Sequence, residues 1–311
     1  YSSLYPSCMI SENISHDSKV WTEERDLNGK LIKKTGDFKY DNMIKEGYKY
    51  VDIEYDTYEW KRLGGEKSKE EKVKVGTKKC RYAQFPDGKK AIMPSVLKEL
   101  LASRKATRKL IKYKTVTDED GETYTGLMSK NDEYTIITEK NGDVVEIPNE
   151  MVVSVKDTYN DFMKNVFNNR QLAIKITANS LYGQTGARTS AFYEKDIAAS
   201  TTATGRKLLS YGKEIIEGVY GDRICETKKH GQVKSNAKVV YGDTDSCFMC
   251  FYLEDLEGNP IKGKKALEIT IDLAVEVGEL SSKFLKDPHD LEYEKTFDPL
   301  LLLSKKRYVG M

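Results

Sequence analysis

Two short apolar runs, Ala237 to Val240 and Cys247 to Phe251, flank the segment Tyr241-Gly242-Asp243-Thr244-Asp245-Ser246. Apolar runs on either side of Gly and Asp are strand–turn–strand chemistry. Lys238 to Phe251 is therefore predicted to be a β-hairpin with its turn at Gly242 to Asp245. This prediction constrains the fold more than any other, because it sets two carboxylates one residue apart at the tip of an otherwise apolar element. Paired hard oxygens suit Mg²⁺, which keeps several waters and shares substrate phosphates. An isolated Asp-x-Asp is more often an ordinary acidic turn, so the motif has to be weighed with the rest of the chain.

Ser2 to Ile10 is small and apolar and reads as a buried strand feeding a turn at Pro6. Residues 11 to 92 alternate short strand-like runs, such as Tyr48 to Tyr55 and Tyr82 to Phe85, with polar turns. Among these are a Gly64-Gly65 turn and a lysine-rich stretch from Lys67 to Lys79. A helix is predicted from about Pro94, a good first-turn residue, with an apolar stripe at Met93, Val96, Leu97, Leu100 and Leu101. Arg104, Arg108 and Lys112 continue it at spacings of four. Residues 113 to 155 switch to alternation, with turns at Asp120-Gly121 and Asn141-Gly142, and fit two hairpins. Helices follow at about Asp157 to Ala178, Lys195 to Glu217 and Leu267 to Leu285, and Leu291 to Val309 is predicted to be β-rich.

On the helix from about Asp157, Gln171, Lys175, Asn179 and Tyr182 share one face, and Phe162, Val166, Ala173 and Ile176 are expected to pack the other. An ammonium, an amide and a phenol in line are poor core material. They suit holding a phosphate and probing a base pair.

Of the 311 residues 32% are charged, and the net charge is only +2, which alone argues weakly against nucleic acid. The distribution argues for it. Lys98 to Lys112 carries six basic residues and one acid, and Lys305, Lys306 and Arg307 are consecutive. Five cysteines at irregular spacing argue against a disulfide framework. Cys247 and Cys250 have Cys-x-x-Cys spacing but lie in a strand-like run with no second pair, so they are predicted to be buried structural thiols in a reducing compartment. No apolar run approaches the roughly 18 residues of a membrane span.

Four segments, in order, carry a resemblance. Ser3-Leu4-Tyr5-Pro6-Ser7, Lys175 to Gly183 (Lys-x-x-x-Asn-Ser-x-Tyr-Gly), Tyr241 to Ser246, and Lys305-Lys306-Arg307-Tyr308 resemble the motifs of the family B DNA polymerases. Glu292-Tyr293-Glu294-Lys295 before the last motif looks like the delta-type branch. The run Met9 to Ser18, with the insertion between the finger helices, looks like the enzymes of giant double-stranded DNA viruses.

The resemblance implies an α+β fold: an antiparallel-sheet palm with a two-helix fingers hairpin bearing a β insertion. The expected divisions are palm at 1–93, fingers at 94–183 with the insertion at about 113–155, and palm again at 184–311. It implies template-directed DNA synthesis from dNTPs on a primer 3′-OH with two Mg²⁺ ions. Asp243 and Asp245 are then the catalytic, metal-binding carboxylates, with the Tyr1 carbonyl as a further ligand. Ser3, Leu4, Tyr5, Arg104, Arg108, Lys175 and Asn179 bind the nucleotide, and Tyr182, Gly183, Lys305, Lys306 and Tyr308 bind DNA. The implied partners are primer–template DNA, dNTPs and a sliding clamp reached through other regions. The implied compartment is the nucleus or the cytoplasmic virus factory of an infected cell.

The resemblance also implies that the first motif's opening aspartate falls immediately before Tyr1, with an exonuclease region upstream and a thumb downstream. On that reading residues 1–311 alone are not competent. Two alternatives stay open: a protein-primed polymerase of the same family, and an inactive nucleic-acid-binding remnant.

Overall fold

A computed structural model describes residues 1–62, 64 and 69–311. Gly65 of the expected Gly64-Gly65 turn, and Lys67 and Ser68 of the lysine-rich stretch, lie outside the described residues. The chain divides into two compact units, Tyr1–Ser95 with Tyr182–Met311, and Val96–Leu181. Helices mix with antiparallel strands in both, an α+β fold.

The first unit opens with α1 (Leu4–Ser11), where a strand was expected. A short apolar run does not distinguish a buried strand from a buried helix by its pattern. Pro6 is tolerated because it stands in the first turn, where its missing N–H would have had no intrahelical partner. Every residue of α1 except Tyr5 is buried. Next come β1 (Lys19–Asp26), β2 (Leu31–Thr35), β3 (Lys49–Arg62) and β4 (Glu70–Gln84), in the antiparallel order β2-β1-β4-β3. The strand-like runs of residues 11 to 92 thus join into one sheet, and its two longest strands exceed anything the sequence pattern suggested.

In the second unit, α2 (Ile92–Ile111) enters from the first and buries Leu97 and Thr107, with Arg104 half-buried on the same stripe. Strands β5 (Tyr113–Asp118), β6 (Thr123–Lys130), β7 (Tyr134–Glu139), β8 (Val144–Pro148) and β9 (Val152–Asp157) form one sheet in the order β8-β7-β6-β5-β9. The two predicted hairpins are present, and β9 closes onto β5. Gly121 and Gly142 have φ of 81° and 101°, the turn conformation that glycine adopts without strain. Val116, Ile137 and Ile147 form the core of this unit.

Helix α3 (Asp161–Gly186) then leads back to the first unit. Phe162, Val166 and Ile176, expected to pack, are 71%, 41% and 58% exposed, and Ala173 is exposed too. The helix instead turns Gln171, Ile174, Ala178 and Leu181 inward. Apolar residues occur on both sides of α3, so periodicity alone chose the wrong face.

The first unit resumes with α4 (Lys195–Tyr220), β10 (Arg223–Thr227), β11 (Gly231–Ser235), β12 (Lys238–Asp243), β13 (Ser246–Cys250), α5 (Gly263–Ser282), β14 (Leu300–Ser304) and β15 (Arg307–Gly310). These six strands pair as three separate two-stranded ribbons. Tyr1 to Ser3 belong to no strand, so the first motif does not lie on a strand beside the third. The principal core joins Ile216 and Tyr220 of α4 to Phe251 and to Ile269, Leu273 and Val277 of α5. Each such side chain contributes about 1.5–3 kcal/mol on full burial.

Candidate functional site

The β12–β13 hairpin forms as predicted, with a tighter turn. Asp243 pairs with Ser246, leaving Thr244 and Asp245 as the two-residue turn. Thr244 takes the left-handed conformation at φ 54°, and the Asp245 N–H donates to the Asp243 carbonyl at 2.6 Å. Asp243 is half-buried and Asp245 exposed. The Thr244 hydroxyl donates to Asp243 Oδ1 at 3.1 Å, which fixes one carboxylate within the turn itself.

The other end of the sequence meets this hairpin. The Tyr1 nitrogen donates to the Asp245 carbonyl at 2.7 Å, across 244 positions. The Tyr1 phenol donates to the Leu208 carbonyl of α4 at 2.6 Å. Burial pushes that phenol well above its ordinary range, so it stays a donor at any working pH. α4 had no role in the sequence reading, yet it seats both motifs. A Cβ on Gly212 would lie 3.1 Å from the Tyr1 hydroxyl, one on Gly205 would lie 3.2 Å from Leu4 Cδ2, and Leu209 packs against Gly242. Glycines seven positions apart, two helical turns, mark a helix face that the side chains of Tyr1, Leu4 and Tyr5 approach closely. That spacing was the available signal.

Tyr5 and Tyr182, from motifs far apart in sequence, stack with ring centres 4.3 Å apart. Both rings are half-buried. Burial, and then Tyr5, raises the Tyr182 phenol. Gly183 beside it is exposed.

The fourth motif closes over the third. Lys305 and Lys306 form the turn of the β14–β15 hairpin. The Lys306 N–H donates to the Tyr241 hydroxyl at 2.8 Å, and Lys306 Nζ lies 3.3 Å from Asp243 Oδ2. Tyr308 packs edge-on against Phe248 at 4.9 Å, with Phe297 alongside. Tyr241, Phe248 and Phe297 were given no individual role from sequence. The aromatic cluster they form with Tyr308 holds the Lys305–Lys306 turn beside the acid pair.

An open cleft of about 620 Å³ extends from Tyr1 and Asp245 between β13, α5 and residues 291–297. Cys247 and Cys250, expected to be buried, are half-buried at its wall, and all five cysteines are free thiols. The two-strand ribbon has no third strand over these positions, so they keep partial exposure.

Among the described residues no three His, Cys, Asp or Glu side chains gather into a metal-holding group. Asp243 and Asp245 offer hard carboxylate oxygens of the kind that suit a divalent cation sharing water and phosphate oxygens.

In the second unit Arg104 Nε donates to Gln171 Oε1 at 3.2 Å, which ties α2 to α3 one turn before Lys175. Partial burial and the neighbouring Arg108 pull the Arg104 guanidinium down. Lys175, Asn179 and Arg108 are exposed.

The model of DNA polymerase family B matches residues 1–126 and 121–311. The chain belongs to DNA polymerase family B. It is 47% identical over 310 residues to a DNA polymerase of Pyramimonas orientalis virus, covering 100% of this chain and 22% of that protein. It is 49% identical over 294 residues to a DNA polymerase of Phaeocystis pouchetii virus, covering 93% and 24%. To the DNA polymerase delta catalytic subunit of Caenorhabditis elegans it is 40% identical over 157 residues, 50% of this chain and 13% of that one. The chain therefore spans less than a quarter of the length of these relatives. Its likeness to both viral and delta-type family B polymerases agrees with the resemblance seen in the motifs. Among the described residues no helix is long and apolar enough to cross a membrane.

Proposed function

We propose that this chain is the palm and fingers of a template-directed DNA polymerase, adding deoxynucleotides from dNTPs to a primer 3′-OH. The palm is residues 1–93 and 184–311, and the fingers are 94–183. The observation that carries this reading is the junction of the first and third motifs, where Tyr1 meets Asp245 at 2.7 Å beside Asp243. Catalysis then requires the regions that complete the viral relatives. The reaction takes place in infected host cells, on primer–template DNA, with a clamp engaged through those further regions.

Each group has a chemical task. Asp243 and Asp245 would hold two divalent ions, with the Tyr1 carbonyl as a further ligand. Such ions acidify the primer hydroxyl and offset charge on the leaving pyrophosphate. The first-turn N–H groups of α1, at Leu4 and Tyr5, have no intrahelical partner and are suited to donating to phosphate oxygens, as is the Ser3 hydroxyl. Arg104, Arg108, Lys175 and Asn179 bring cations and an amide to the triphosphate from the fingers. Lys306 neutralises Asp243 until a substrate's own charges take over. With Lys305, Tyr308, Tyr182 and Gly183, it then contacts the DNA.

The test is Asp245→Ala in a full-length polymerase carrying this chain. Primer extension should fall by at least about a thousandfold, while primer–template affinity, supplied mainly by phosphate contacts elsewhere, stays within about twofold. Extension within about tenfold of wild type would remove Asp245 from the metal site.

A further inference from the structure

The outer halves of β3 and β4 run past the rest of their sheet. β1 pairs with β4 only as far as Asp26 opposite Gly76. Beyond it β3 and β4 continue as a bare ribbon in which every residue from Tyr58 to Arg62 is exposed. A free two-stranded ribbon gains little from burial, yet this one carries Trp60 at 66% and Tyr58 at 44% exposure. The fold makes no use of that apolar surface.

The register shows what accompanies it. Tyr58 stands opposite Lys74, Trp60 opposite Lys72, and Arg62 opposite Glu70. Directly paired residues share a face, and alternate positions along a strand do too. Tyr58, Trp60, Arg62, Glu70, Lys72 and Lys74 therefore line one face, with Arg62 Nε 3.5 Å from Glu70 Oε1. Contacts support this: Lys72 Nζ lies 4.3 Å from the Tyr58 ring centre, and Lys74 Nζ pairs with Asp56, which also accepts from the Tyr58 hydroxyl. Glu59, Lys61 and Glu71 alternate onto the opposite face. One side of the ribbon thus interleaves two exposed aromatic rings with three cations, of which Arg62 pairs with Glu70 and Lys74 with Asp56.

We propose that this face binds single-stranded DNA, with bases stacking on Trp60 and Tyr58 and phosphates against Lys72 and Arg62. Exposed rings flanked by cations are the chemistry of a stacking platform. A duplex would not use the rings, because its bases are already stacked on each other. The surface is separate from the acid pair and extends the polymerase reading to a second contact with unpaired strand.

Trp21, the other tryptophan, is 3% exposed, so solvent-accessible tryptophan emission reports Trp60. The experiment titrates the 311-residue chain with an oligothymidylate of about 20 nucleotides, enough to span one such site. Trp60 emission should be quenched, and a matched duplex should not compete. Trp60→Ala and Lys72→Glu, each checked for fold by circular dichroism, should weaken oligonucleotide affinity by about tenfold. Asp245→Ala should leave the quench intact, which separates this surface from the catalytic reading. Absence of quenching, equal affinity of wild type and variants, or equal competition by duplex would each overturn the proposal.

Discussion

Tyr5 and Tyr182 lie ring on ring, 22° from parallel, joining the start of α1 to the last turns of α3. A ring held from beneath in this way is a rigid floor. If it lies under the sugar of an incoming nucleotide, it leaves no room for a 2′-hydroxyl.

Tyr5→Val in the full-length enzyme should raise ribonucleotide incorporation relative to dNTP by at least about tenfold, read from competing single-turnover extensions. Tyr182→Ala should do the same more weakly by freeing the Tyr5 ring. A double-mutant cycle on stability should give a coupling of about 0.5–1.5 kcal/mol, the range for an aromatic pair. An unchanged dNTP-to-rNTP ratio would reduce Tyr5 to a packing residue.

Lys306 is 63% exposed, and its ion pair with Asp243 is correspondingly weak. Lys306→Ala should shift the urea midpoint by less than about 1 kcal/mol of stability. It should nevertheless slow extension if the acid pair is the proposed metal site, because the substitution removes the ammonium beside Asp243 and keeps the backbone N–H that donates to the Tyr241 hydroxyl. Equal effects on stability and rate would make the contact merely structural.

Gly205 is a test of how α4 seats the first motif. Alanine there gains about 1 kcal/mol of helix propensity and loses a similar amount to crowding with Leu4, so stability should change little. Gly205→Val adds bulk against Leu4 and Tyr5 and should cost about 1–3 kcal/mol in urea unfolding. It should also raise the KM for dNTP through displacement of Tyr5.

Asp196, at the start of α4, accepts from Lys19 at 3.0 Å, Thr22 at 2.8 Å and Tyr55 at 2.9 Å, binding the β1–β4 sheet to the helix. Burial pushes its carboxyl up, but the Lys19 charge and these hydrogen bonds outweigh it and hold it below 3.8. A carboxyl depressed in the folded state stabilises fully above its unfolded value and loses that contribution as pH falls through its folded value. The stability gap between wild type and Asp196→Asn should therefore be constant from neutral pH to about pH 5 and close below about pH 4. Asp196→Ala should cost about 3–5 kcal/mol at neutral pH, since Lys19 is left largely buried without its main partner. A gap that persists at low pH would contradict the ion pair.

The β12–β13 hairpin, the helices α2, α4 and α5, and the glycine turns of residues 113–155 were legible from the sequence. Each is set by pattern and turn chemistry within a dozen residues. The four motifs likewise identified the family before any fold was known. Tertiary structure alone decided that α1 is a helix and that α3 turns Gln171 rather than Phe162 inward. It also decided that Lys306 meets Asp243 and that Gly205 and Gly212 of α4 receive the first motif, whereas the meeting of Tyr1 with Asp245 was already implied by the resemblance. The physical reason is the range of the forces involved. Propensity and periodicity act along the chain. Which of two apolar faces is buried, and which distant side chains share a few ångströms, depends on surfaces that come together only when the chain packs.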